Sequence, residues 1–170
     1  MPFLSQYGDL KVRKNRFLLV DDVCRWVECN PVEWSSVNFD RDEITDKTTS
    51  LLDLFEVIYQ QKCATDQAKI WCCKSTFNIQ YTLELEKAIQ PFYIYLYRDG
   101  RDVATSFKKA YVGPKHIYQI AQKWHREQIE TYSFLSSLAS HRYVWISYEA
   151  LIQDPEKVLH LICERIGIQF

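Results

Sequence analysis

Glycine is scarce in this chain, with four residues in 170, at positions 8, 100, 113 and 167. Loops that cradle a phosphate through successive backbone N–H groups need glycine, and no Gly-x-x-x-x-Gly-Lys-Ser/Thr stretch occurs anywhere in the sequence. An excess of one charge is also missing. Lys and Arg number 21 against 22 Asp and Glu, a net charge of −1, so no global field draws the chain to nucleic acid or an anionic membrane and any anion site must be local. No apolar run approaches the roughly 20 residues of a membrane helix, and no amino-terminal targeting signal is visible. A cytoplasmic location is the expectation. The six cysteines form no Cys-x-x-Cys unit; with no signal segment before them and apolar surroundings for most, they read as reduced, buried thiols rather than a disulfide framework or a zinc site.

What is present in quantity is aromatic: eleven Tyr, nine Phe and five Trp. Such a chain packs rather than staying disordered, and its length suits one domain burying about 70% of its unfolded surface. Residues 1–47 are poorly legible: residues 16–20 and 23–27 read as pieces of helix, and the acidic run at 40–43 as a connecting loop. Residues 48–170 read as an incomplete α/β domain. Ser50 caps a helix with Leu51, Leu54, Phe55, Ile58 and Tyr59 at three-and-four spacing. A short strand is predicted over 70–73, ending at Lys74, and a helix over 79–89 before Pro91. Pro114 suits the start of a long helix whose apolar face runs from Ile117 to Leu135; a strand over 143–148 and a last helix from Asp154-Pro155 follow. Strands separated by helices call for a parallel sheet covered on both faces, with ligands beyond the strands' carboxyl ends. Lys74, Arg98 and Tyr148 are each expected at such an end.

The most informative stretch runs from Phe92 through Tyr97 into Arg98-Asp99-Gly100-Arg101-Asp102 and on to Ser106. Aromatic and β-branched residues behind Pro91 predict a strand, Gly100 a break, and Asp102 a capping or first-turn residue for the helix beyond. A helix opening there aims unpaired N–H groups and its positive dipole end at an anion. Arg98 and Arg101 add planar donors.

Tyr97-Arg98-Asp99-Gly100-Arg101-Asp102-Val103-Ala104-Thr105-Ser106 resembles the 3′-phosphate-binding motif of sulfotransferases, whose donor is 3′-phosphoadenosine 5′-phosphosulfate, PAPS. Ile70-Trp71-Cys72-Cys73-Lys74-Ser75-Thr76 looks like the family strand ending in a lysine. Ser147-Tyr148-Glu149-Ala150-Leu151-Ile152-Gln153-Asp154-Pro155 looks like its tyrosine-glutamate segment. The resemblance covers residues 48–170 and looks like the carboxyl-terminal two thirds of a family member. It implies a P-loop NTPase-like α/β fold and transfer of a sulfuryl group from PAPS to an acceptor hydroxyl or amine, leaving adenosine 3′,5′-bisphosphate and requiring no metal. Arg98 and Ser106 would hold the 3′-phosphate, Tyr148 would lie near the nucleotide, and Lys74 would stand at the oxygen bridging sulfur and phosphorus.

Two departures accompany these matches. Nothing corresponds to the family's 5′-phosphosulfate loop of Ser-Gly-Thr-Thr type, and Thr76 stands two positions after the lysine where many members carry a histidine base. His116 is the histidine to test as a base instead. Each site residue also has an ordinary reading: Arg98 and Arg101 as surface ion pairs, Ser106 as a helix serine, Tyr148 as a packed tyrosine, Lys74 as a solvated strand end. A non-catalytic 3′-phosphoadenosine-binding or interaction module is therefore the alternative function. A nucleotide kinase relative is disfavoured without its phosphate loop. The acceptor, whether small molecule, carbohydrate or peptide, is not legible, and a partner chain or homodimer is expected to complete the fold.

Overall fold

A computed structural model describes residues 4–32, 34 and 36–170. The chain divides into two compact units, one comprising residues up to 75 with 87–89, the other residues 76–86 and 90–170.

The first unit is helical. Residues predicted as separate helix pieces form one helix, α1 (Arg13–Glu28). The acidic run expected to be a loop instead opens α2 (Arg41–Lys47), where the Asp40 side chain accepts from the Glu43 N–H and Asp42 and Glu43 face the positive dipole end. Ser50 and Asp53 form a reciprocal capping box at the start of α3 (Leu51–Thr65), as the sequence predicts. Leu19, Val20 and Cys24 of α1, Phe39, Ile44 of α2, and Leu54, Val57 and Ile58 of α3 make a shared core. At its margin Arg41 ties Asp21 at 2.8 Å and Glu28 at 2.7 Å. All six cysteines are free, but only Cys24 is buried, which corrects the expectation of mostly buried thiols; burial pushes its thiol up to about 11.

The strand predicted over 70–73 does not form. Trp71 leaves the extended pattern to stack on Tyr59 at 4.5 Å and meet Phe55 edge-on at 5.6 Å, so a helix face satisfies the segment's largest side chain. Ile70 and Cys72 stay exposed. Lys74 therefore follows an irregular segment, not the end of a strand.

In the second unit a 3-10 turn, Asn78–Tyr81, leads into α4 (Thr82–Ala88), where one helix was expected. Then come β1 (Tyr93–Tyr97), α5 (Gly100–Lys109), α6 (Ile117–Ser136), β2 (Tyr143–Ser147), α7 (Tyr148–Gln153) and α8 (Pro155–Ile166). Strands β1 and β2 pair in parallel, Tyr93 with Tyr143 through Tyr97 with Ser147. Alternation sends Val144 and Ile146 to one face, against Val158 and Ile162 of α8 and Leu151 of α7. The other face carries Tyr95 and Trp145, perpendicular at 5.0 Å, and meets α6 through Tyr132 and a 2.6 Å hydrogen bond from the Tyr95 hydroxyl to Gln128. Helices thus cover both faces of a parallel sheet, as expected, although among the described residues it has two strands rather than three.

Three boundaries differ from expectation. Helix α5 begins at Gly100 with Asp99 as its cap, so Asp102 is a first-turn residue. Pro114 lies in the loop before α6, whose cap is His116. Tyr148 opens the short helix α7, capped by Ser147, rather than closing a strand. Among the described residues no helix is long and apolar enough to cross a membrane. Because Leu54 is 1% exposed in the helical core, Leu54→Ala should cost about 3 kcal/mol in urea unfolding, whereas Ile70→Ala, at an exposed position, should cost well under ~1 kcal/mol.

Candidate functional site

The site lies where β1 and β2 end. With Tyr97 opposite Ser147, the same offset carried one and two residues further sets Arg98 beside Tyr148 and Asp99 beside Glu149. The side chains bear this out. The Arg98 guanidinium carbon stands 4.6 Å from the centre of the Tyr148 ring, a cation–π arrangement. The Asp99 N–H donates to Glu149 Oε1 at 3.1 Å. From α6, Trp124 Nε1 donates to the Arg98 carbonyl at 3.3 Å. The same indole lies 3.2 Å from where a Cβ on Gly100 would stand, so any side chain there would require the indole to give by a few tenths of an ångström.

These loops and α5 bound a shallow concavity of about 590 Å³ lined by residues including Arg98, Asp99, Gly100, Asp102, Trp124 and Glu149. Its charges are largely committed to one another. Arg101 grips Asp99 through Nη2 at 2.6 Å and Nε at 3.0 Å. That guanidinium, with the Arg101 N–H, holds the Asp99 carboxyl down to about 2, and Asp99 in turn raises Arg101. Glu149 is likewise lowered, first by the Asp99 N–H and then by its own backbone N–H. Arg98 is the exception. Among the described residues its ion pair, to Asp102, is long at 3.4 Å, and its Nε is buried without a hydrogen-bond partner. An unsatisfied buried donor on a cation is costly; here it stands beside a helix amino end, where an oxyanion would satisfy it.

Of the residues singled out in the sequence, Arg98 and Tyr148 are brought into contact. Ser106 lies on α5 one turn beyond Asp102, exposed and outside the lining of the concavity. His116 caps α6, its Nδ1 accepting from the Tyr118 N–H at 3.3 Å, which leaves Nε2 as the protonated nitrogen of the neutral ring. Lys74 belongs to the first unit. Between α5 and α6 the chain turns tightly: Gly113 has φ +88°, and a Cβ there would meet Phe107 Cε1 at 2.5 Å. Lys115 donates to the Phe107 and Ala110 carbonyls at the end of α5. This loop leaves Tyr111 and Val112 exposed.

Sequence reasoning missed Trp124 and Glu149. Trp124 reads as one more residue of an apolar helix face, and its indole N–H bond spans 26 positions to a backbone carbonyl, which no local pattern reports. Glu149 could have been found, since it follows Tyr148 as Asp99 follows Arg98.

A sulfotransferase family model matches residues 5–170, and the chain belongs to the sulfotransferase family. The match includes the helical amino-terminal unit, where residue-level resemblance stops. Among solved structures, the chain is similar to a sulfotransferase domain from the curacin biosynthetic pathway, with 24% identity and a TM-score of 0.56, covering 96% of this chain and 56% of that one. That likeness supports the P-loop-like sulfotransferase fold, and the chain spans little more than half the length of the similar domain. No curated protein matches the chain.

The paired Asp99 carboxyl has a definite pH signature. Its folded value of about 2 lies below the roughly 3.9 of an unfolded aspartate, so its contribution to folding is fully present above ~4 and lost as pH falls through the folded value. In an NMR titration, Asp99 should show a midpoint near 2 that returns toward ~3.9 in Arg101→Ala.

Proposed function

We propose that the chain binds the 3′-phosphate of a 3′-phosphoadenosine nucleotide and serves transfer of a sulfuryl group from PAPS to an acceptor hydroxyl or amine. The observation that carries this reading is the buried, unpartnered Nε of Arg98 at the amino end of α5. A guanidinium steadied on the Tyr148 ring beside a helix amino end suits a phosphate, and Ser106, exposed further along α5 and outside the lining of the concavity, is the second ligand proposed from the motif. When bound, the donor supplies an activated sulfuryl group. Lys74 is the ammonium proposed to face the negative charge that develops as that group leaves, and His116 is the proposed base, a role that requires its Nδ1 to release the Tyr118 N–H. The exposed segment carrying Tyr111, Val112 and Tyr118 is the proposed acceptor side. Because the chain spans 56% of the similar domain, the phosphosulfate-binding loop is proposed to come from a longer protein or a partner chain.

A second reading, a nucleotide-binding module without transfer, is favoured by one observation. Lys74 follows an irregular segment and Thr76 stands where many family members carry a histidine.

Calorimetry with adenosine 3′,5′-bisphosphate should show binding, weakened about 10- to 100-fold by Arg98→Ala and about 3- to 10-fold by Ser106→Ala. A wild-type chain that does not bind overturns both readings. Binding without release of labelled sulfate to any acceptor class supports the module.

A further inference from the structure

Arg98 is held from several sides, and one hold from the start of α7 comes from a residue with no assigned role. Tyr148 supports the guanidinium from below at 4.6 Å. One residue on, Glu149 accepts from the Asp99 N–H at 3.1 Å, tying together two loops that lie 50 positions apart in the chain. Trp124 holds the Arg98 carbonyl. The peptide unit joining Arg98 to Asp99 is thus gripped at its carbonyl by α6 and at its N–H by the start of α7. The torsions flanking that peptide, ψ of Arg98 and φ of Asp99, are thereby restricted.

Glu149 is not placed to pair with Arg98 in the manner of a simple counter-ion. The carboxylate that reaches Arg98 is Asp102, on α5, whereas Glu149 accepts from a backbone N–H. Its neighbour Tyr148 is the one that touches the guanidinium. A clasp of two consecutive residues on each side, Arg98-Asp99 against Tyr148-Glu149, fixes direction as well as distance, which a single contact cannot do.

We infer that Glu149 is a positioning residue: by holding the Asp99 N–H it keeps Tyr148 beneath Arg98 and the guanidinium aimed into the concavity at the amino end of α5. The inference rests on the reading of Arg98 as the phosphate ligand, but part of it is testable without any ligand. A positioning role needs an acceptor at this point, not a charge, so glutamine should serve where alanine cannot.

The test uses the full chain as wild type, Glu149→Ala and Glu149→Gln, with circular dichroism to confirm folding. In the ligand-free proteins, ¹⁵N relaxation of the Arg98 Nε–H should report a rigid side chain in wild type and Glu149→Gln and a mobile one in Glu149→Ala. Exchange of the Asp99 amide should accelerate at least ~10-fold in the alanine variant. Titrated with adenosine 3′,5′-bisphosphate, Glu149→Ala should bind about 5- to 20-fold more weakly and Glu149→Gln within ~3-fold of wild type; in an Arg98→Ala background the alanine change should have no further effect. An Arg98 side chain as rigid in Glu149→Ala as in wild type overturns the proposal. So does a glutamine variant as impaired as alanine, or an alanine variant that binds more tightly. Failure of the wild type to bind overturns the phosphate reading instead, and the relaxation data still decide whether Glu149 positions Arg98.

Discussion

The parallel register between β1 and β2 is the constraint on which the site depends. Five residue pairs set it, from Tyr93 with Tyr143 to Tyr97 with Ser147, and burial of Val144 and Ile146 under α8 fixes which face each side chain takes. Beyond the last pair the backbones diverge, one into α5 and one into α7, yet the correspondence persists in side chains: cation over ring, then N–H to carboxylate. Two chain segments far apart in sequence are brought to a common point by the pleat, and the charged residues there inherit their partners from it. The aromatic face adds stiffness, since Trp145 meets Tyr95, Tyr132 and Tyr143 around it.

The electrostatics of the concavity follow from who reaches whom. Two guanidiniums and three carboxylates leave one negative charge in excess, but the pairs are not equivalent. Asp99 has a helix cap and Arg101 to satisfy it, and Glu149 has backbone donors. Asp102 meets Arg98 at a distance where attraction in solvent is weak. What remains unsatisfied is positive and partly buried. The whole protein is nearly neutral, so this unsatisfied positive group is a local property of a few atoms rather than of the surface at large.

Local chemistry was legible and long-range partnership was not. The Ser50 cap, the strand behind Pro91, and the Asp154 cap with Pro155 in the first turn of α8 each depend on neighbours within a few positions, and each was readable from residue type. Asp40 carried the same signature, but with proline and tryptophan upstream it was read as loop. The segment at 70–73 has strand composition but pairs with no strand among the described residues; Trp71 stacks on Tyr59 instead. Arg98 and Tyr148 were named from their motif and do touch. Trp124 and Glu149 act through backbone atoms of Arg98 and Asp99, and a bond to a backbone group carries no trace in the residue type at the other end.

The offset of fifty between the two strand ends has an evolutionary consequence. Inserting one residue between Tyr97 and Arg98 would set Glu149 opposite the guanidinium in place of Tyr148. A π-face would give way to a carboxylate, and the arginine would be neutralised from within. Substitutions at this seam can be gradual, but changes in length cannot, so the spacing between strand end and first helical turn should drift far more slowly than the residues that occupy it.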